Sequence, residues 1–451
     1  NLFKEWRSFE IPPIVNGAPD YKKITFDKRF SEFLKLKSML CDIDKSSLST
    51  EEKVDWTLIW AEMNGYLFNY KVLKPWERDP AFYKTIWTSR SDVSAHEGPS
   101  HHNLVELWKY KFPLNSQDKL KLISDLKVIP NLNKQAKQNL IGNARDLWIT
   151  GIRTIKRQSS DLKSLLKRID PLDKGISKVI INAISSTNEF VRWLEKEAIN
   201  KNGPSGIGKE NYTWYQKNVH LVPLTWEQEE ILLKNELARA WTSLKYEEKN
   251  NSKLPYLSPV NNSKEYDELA KKSAEELLSF LDDQRVITVK PYYKDALQPH
   301  LGKFVPEYKR NFFWITAHYD PKPLYSHFFH WFELAQMDID PHKNEIRRKP
   351  LLYNIFDSRS EGVATAVEEL FMQAGLYKNN PRAREIVYIL IAQRAARGLG
   401  SLYAHANIIS MEEAGKIHSE YTPRGWMKTE KDLLIFEQQL YLRQPGYGTS
   451  Y

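Results

Sequence analysis

The sequence predicts a mainly α-helical protein, one large helical body with a deep cleft and a small β-sheet. Apolar residues recur at three- and four-residue spacing through most of the chain, the period of an amphipathic helix. Hydrophobic types make up 41% of the 451 residues, enough for a large buried interior. Good strand patterning is confined to a single stretch, residues 285–319. No long Gly/Ser or Pro-rich linker, repeat of fixed period or low-complexity tract divides the chain. A single domain over 1–451 is therefore expected, with 1–200 and 201–451 as its lobes and the motif-bearing helices at 325–451.

Taken in order, Phe30, Phe33, Leu34, Leu36 and Met39, then Val54, Leu58, Ile59, Met63 and Leu67, read as two amphipathic helices between about 27 and 71. Ser49 or Thr50 offers an N-cap for the second, with Glu51 and Glu52 in its first turn. Helices of the same period are expected at about 116–128, 134–157, 162–168 and 174–197. The segment 201–208, with Gly203, Gly206 and Gly208, reads as a loop. No strand precedes it, and its spacing fits neither a dinucleotide fingerprint nor a Walker loop. Thr225 caps a helix running to about 248, and another spans about 263–282. The β-branched and aromatic runs 286–289 and 312–316 predict the strands of the small sheet. Helices resume at roughly 325–337, 358–374, 381–409, 411–421 and 430–442.

Charge and composition narrow the function. The 66 Lys and Arg outnumber the 57 Asp and Glu, for a net charge of +9, but in stretches such as 165–173 and 227–239 the two signs alternate. That is the pattern of solvated helix faces rather than a phosphate-binding stripe, so no nucleic-acid partner is expected. The single cysteine, Cys41, excludes an internal disulfide framework and a Cys-based zinc cluster. The richest apolar run, 386–392, is far short of the roughly 20 residues of a membrane-spanning helix, so no transmembrane segment is expected. The chain starts at Asn1 without a methionine, which is compatible with a removed signal or lipoprotein segment. An exported, periplasmic or lipid-anchored location is consistent with that, and the compartment stays open.

Metal-capable side chains concentrate late in the chain. His327, His330 and Glu333 stand three apart, and residues so spaced share one helical face and can chelate a metal together. The following helix opens with Glu361 and continues to Glu368 and Glu369. Zinc hydrolases need three protein ligands and one open position, and Glu361 is the candidate third ligand beside His327 and His330. Phe328, Phe329, Trp331 and Phe332 alternate with the histidine face and are expected in the core. Some of the 14 tryptophans can line a groove.

The order of this His-rich helix, then Ser-Glu-Gly-Val-Ala-Thr-Ala-Val-Glu-Glu at 360–369, Gln-Arg-Ala-Ala-Arg at 393–397 and Gln-Pro-Gly-Tyr-Gly-Thr-Ser-Tyr at 444–451, resembles the bacterial domain-of-unknown-function family 885. That family is distantly similar to helical zinc peptidases of the Taq carboxypeptidase type. The likeness extends to Val54-Asp55-Trp56, to 74–80 and to 208–212, so it covers most of the chain. It implies a zincin-like helical peptidase architecture, a zinc cofactor and a substrate that is a peptide or other small polar molecule. In the family's motif, His-Glu-x-x-Pro-Gly-His-His-Leu-Gln, the first and a later His resemble ligands and the Glu a general base. This chain offers His327, Phe328 and Glu333 at those three positions. Phenylalanine cannot accept a proton, and general-base work contributes about 10²–10⁴-fold. Glu361 and Gly362 match the family's Glu-Gly-Trp-Ala element, with Val363 where Trp is usual.

A second run, His96-Glu97-Gly98-Pro99-Ser100-His101-His102, looks more like that motif, but Gly98 and Pro99 argue for a loop. Folded over the later helices, His96, Glu97 and His101 could supply the missing groups. His318 precedes the His-rich helix, where a pocket mouth and an exposed polar turn are both open readings. Arg394 and Arg397 share a helical face, suited either to a substrate carboxylate or to a buried ion pair with Asp357 or Glu361. Tyr447 and Tyr451 can point hydroxyls into a cleft or dock the terminal segment.

Three functions follow. One is a metal-dependent hydrolase acting on peptides or amino-acid conjugates, with His327, His330 and Glu361 as ligands and Glu333 or Glu368 as acid/base. Another is a binding protein that kept the cleft and takes a peptide or small polar ligand without metal. The third is an unrelated reaction run by His, Arg and Tyr alone.

Overall fold

The computed structural model describes residues 2–90, 104–353, 356–429, 437 and 442–447. They form a mainly α-helical fold, as the sequence predicts. The chain divides into two compact units, one of 1–207 with 350–355, the other of 208–349 with 356–451.

The first unit begins with α1 (Leu2–Glu10), α2 (Lys23–Cys41), α3 (Thr50–Phe68) and the short α4 (Pro75–Arg78). It continues through α5 (Ser116–Leu126), α6 (Val128–Asn139), α7 (Arg145–Leu166) and α8 (Lys174–Ala198). Ser49 caps α3 as expected: it accepts from Glu52 N at 3.3 Å, while the Glu52 carboxylate accepts from Ser49 N at 2.8 Å. α7 and α8 pack along each other and bury Trp148, Ile155, Leu162, Phe190 and Leu194. Residues 134–157, expected as one helix, are interrupted between α6 and α7. Gly142 N there donates to Glu77 O at 2.8 Å and Arg145 N to Gly203 O at 3.1 Å, so other loops take the amides a continuous helix would use.

Segment 350–355 returns to this unit, where Glu62 accepts the amides of Leu352 (2.7 Å) and Tyr353 (2.9 Å). Gly65 makes the approach possible, since a Cβ there would lie 2.3 Å from Tyr353 Cβ.

The second unit holds α9 (Lys209–Tyr215), α10 (Trp226–Asn250), α11 (Ser263–Asp283), α12 (Tyr293–Leu297) and α13 (Phe312–Tyr319). After them come α14 (Lys322–His327), α15 (Phe329–Ile339), α16 (Phe356–Gln373), α17 (Ala383–His405) and α18 (Met411–Glu420). Thr225 forms the expected capping box with Gln228 at the start of α10. Packed against α10 and α18, α17 is the central helix, buried over nearly its whole length.

The small sheet is not at 285–319. Residues 312–319 are α13, because the Asn311 side chain accepts from Trp314 N at 3.0 Å and caps a helix that buries Phe312, Thr316 and Ala317. Residues 286–289 are an unpaired segment covering the core around Leu277 and Leu281. Strand pairing among the described residues is limited to β1 (Ile14–Val15) with β2 (Ala18–Pro19), antiparallel, and β3 (Ile86–Trp87) with β4 (Val105–Glu106), parallel. The predicted helix 325–337 is broken at Phe328, whose ψ of 12° ends α14 before α15 begins. Most of the predicted helix 430–442 lies outside the described residues.

Candidate metal centre

The break at Phe328 puts His327 on the last residue of α14 and His330 in the first turn of α15. Glu361 projects from α16, which packs against both helices. One donor atom from each of His327, His330 and Glu361 lies within 4.8 Å of the other two, and all three residues are buried. His327 Nε2 stands 3.2 Å from Glu361 Oε2, and His330 Nε2 stands 3.9 Å from Glu361 Oε1. Tetrahedral donors about 2.0 Å from a zinc ion are about 3.3 Å apart, so the donors, spread over as much as 4.8 Å, would have to draw together around the ion. Two imidazoles and a carboxylate are also a donor set that zinc accepts while keeping a fourth position open.

The other nitrogen of His327, Nδ1, lies 3.0 Å from Glu368 Oε1. Arg394 closes its fork on both oxygens of that carboxylate, at 2.6 and 3.0 Å, and its NH2 is 3.2 Å from His327 Nδ1. Burial and the Arg394 charge oppose protonation of His327, and the hydrogen bonds to Glu361 and Glu368 outweigh them, so its pKa lies above the usual histidine value. The ion pair of Arg394 is thus made with Glu368, not with Glu361. The side chain of Asp357 lies outside the described residues.

The other described candidates make contacts of their own. Glu333 pairs with Arg359 at 2.7 Å and keeps 16% of its side chain exposed. Arg397 faces Glu437 at 3.6 Å, in a buried group with Gln393 and His418, which lie 2.7 Å apart. His318 has both ring nitrogens engaged by backbone, Nδ1 with Trp314 O at 2.6 Å and Nε2 accepting from Val305 N at 3.1 Å. Burial lowers its pKa to about 4, so the ring is neutral. Tyr447 is buried, and its N donates to Gln444 O at 3.2 Å in a turn. His96, Glu97, His101 and Tyr451 lie outside the described residues.

A second polar cluster was not visible in the sequence. His220, at the end of the π-helical turn Gln216–His220, lies 2.9 Å by Nδ1 from the Ser358 hydroxyl, one turn before Glu361 on α16. Burial lowers the His220 pKa to about 3. Gln216 donates to the Tyr212 hydroxyl, which donates to Glu229, both at 3.0 Å. Gly446 presses on this cluster with φ +84°, and a Cβ on it would fall 2.6–2.8 Å from atoms of Gln216 and His220. Only the π-helical irregularity signals the cluster, and irregularity of that kind leaves no mark in residue periodicity.

No family model matches the chain, and no curated protein matches it. Among solved structures, the chain is similar to a putative lipoprotein of unknown function from Shewanella oneidensis. The TM-score is 0.64 at 14% identity, over 99% of this chain and 89% of that one. It is also similar to a putative lipoprotein from Colwellia psychrerythraea, with TM-score 0.66 and 14% identity over 96% of this chain and 83% of that one. At this identity the likeness defines the fold, a mainly α-helical architecture spanning nearly the whole chain. Among the described residues no helix is long and apolar enough to cross a membrane.

Proposed function

We propose that the chain is a divergent metal-dependent hydrolase acting on peptides or amino-acid conjugates, with zinc held by His327, His330 and Glu361. The observation that supports it is the convergence of three buried donors from three helices within 4.8 Å. The resemblance to the domain-of-unknown-function family 885 points the same way. A metal bound there supplies Lewis-acid polarisation of a scissile carbonyl. Of the two carboxylates suited to acid–base work, Glu333 is partly exposed and Glu368 is wholly buried, so Glu333 is the group a substrate can reach. The similar Shewanella and Colwellia structures are named as putative lipoproteins, and an exported, lipid-anchored or periplasmic location for this chain is part of the proposal.

A second reading, a peptide-like or small polar ligand bound without metal, is favoured by one residue. Phe328 stands where the family has its general base, half-buried against Tyr325 and Trp331.

Elemental analysis after zinc loading and dialysis separates the two. The hydrolase reading expects roughly one zinc retained per chain, lost in His327→Ala. No retained metal in the wild-type protein would leave the metal-free binding reading standing.

A further inference from the structure

We infer that Glu368 and Arg394 are positioning residues for the metal centre: Glu368 holds His327 by Nδ1 so that Nε2 is presented beside Glu361, and Arg394 holds Glu368. The inference rests on the metal reading proposed above.

Glu361 and Glu368 are seven residues apart on α16, two helical turns, and therefore lie on one face. Both meet the same imidazole, Glu361 at Nε2 (3.2 Å) and Glu368 at Nδ1 (3.0 Å). A histidine that ligates through one nitrogen normally donates its other N–H to a carboxylate or carbonyl, which fixes the tautomer and ring orientation and raises the basicity of the ligating nitrogen. Glu368 is fully buried and suited to that task.

Arg394 completes the arrangement. Two buried carboxylates around one imidazole would repel each other, and the bidentate guanidinium neutralises the outer one. The Arg394 NH2 and Glu368 together occupy the Nδ1 side of His327, which leaves Nε2 to the cluster with His330 and Glu361. Each of the three residues comes from a different helix, α14, α16 and α17. A triad that merely ties those helices together is the competing account.

The test compares the wild-type chain with Glu368→Gln, Arg394→Gln and the double variant. Zinc affinity is read by chelator competition, the cobalt(II) absorption spectrum reports ligand geometry, and the melting temperature of each metal-free protein reports packing. The expected result is a 10–100-fold loss of zinc affinity in Glu368→Gln, with an altered cobalt spectrum. The double variant, which removes both charges, should recover much of the metal-free melting temperature but not the affinity. If Glu368→Gln does not fold, the double variant carries the test. Wild-type affinity and cobalt spectrum in Glu368→Gln or in the double variant overturn the inference while the metal reading stands. A wild-type chain that takes up neither ion sinks the metal reading and this inference with it.

Discussion

His220 gives the chain an acid sensitivity whose size follows from its burial. The ring is buried beside Ser358, and burial lowers its pKa from 6.5 to about 3. The unfolded chain therefore binds a proton between those values and the folded chain does not. Stability from this group is fully present above pH 6.5 and is lost as pH falls below it. The loss between pH 7.5 and pH 5 is about 2 kcal/mol, from the ratio of unfolded-state to folded-state protonation. Glu10, Glu62 and Asp320, whose buried carboxyls titrate above their usual values, act in the opposite sense. They are common to the wild type and a His220→Gln variant, so their effect cancels in the difference between the two. The assay is urea unfolding of both proteins at pH 7.5, 6 and 5. The stability gap between wild type and variant should shift in favour of the variant by about 2 kcal/mol on going from pH 7.5 to 5. A gap that does not move with pH would refute the assignment of a neutral, buried His220.

Two further outcomes test local readings. Ser49→Ala removes the capping box of α3 and should cost about 1 kcal/mol, visible as a lower melting temperature. Gly446→Ala adds a Cβ against Gln216 and His220 at a positive φ, and should destabilise the terminal turn by about 1–3 kcal/mol. Limited proteolysis should then cut near 442–447 sooner than in the wild type.

The helices were legible where an apolar stripe and a cap agreed. α3 and α10 start at the residues the caps indicate, Ser49 and Thr225. Residues 312–319 show how local propensity is overruled. Their aromatic and β-branched side chains favour a strand in isolation, yet the Asn311 cap and burial of one helical face select a helix. The break at Phe328 left no trace in sequence. No proline or glycine marks it, and 325–337 keeps a helical period across it. Spacing predicted that His327 and His330 share one helical face, but the structure brings them together across a junction, with ring centroids 5.1 Å apart. The pairings of Arg394 with Glu368 and of His220 with Ser358 join residues 26 and 138 positions apart, which periodicity does not report.

The same junction bears on what the centre can do. Phe328 stacks with Tyr325, at 5.8 Å between ring centroids, and lies beside His300, at 6.2 Å. An apolar ring therefore occupies the position at which the resemblance places a carboxylate. On the metal reading proposed above, Glu368 is engaged by Arg394 and His327, and Glu333 is the general-base candidate among the described residues. Glu333 is held by Arg359 in a partly exposed pair, and exposed pairs contribute little, about 0–1 kcal/mol, so a substrate group can displace the arginine at small cost. A buried pair could not be opened so cheaply. On that reading we propose separate tasks for the two acids, Glu368 to hold a ligand and Glu333 to exchange a proton. Glu333→Gln should accordingly leave zinc affinity unchanged and lower turnover, whereas Glu368→Gln weakens the affinity itself.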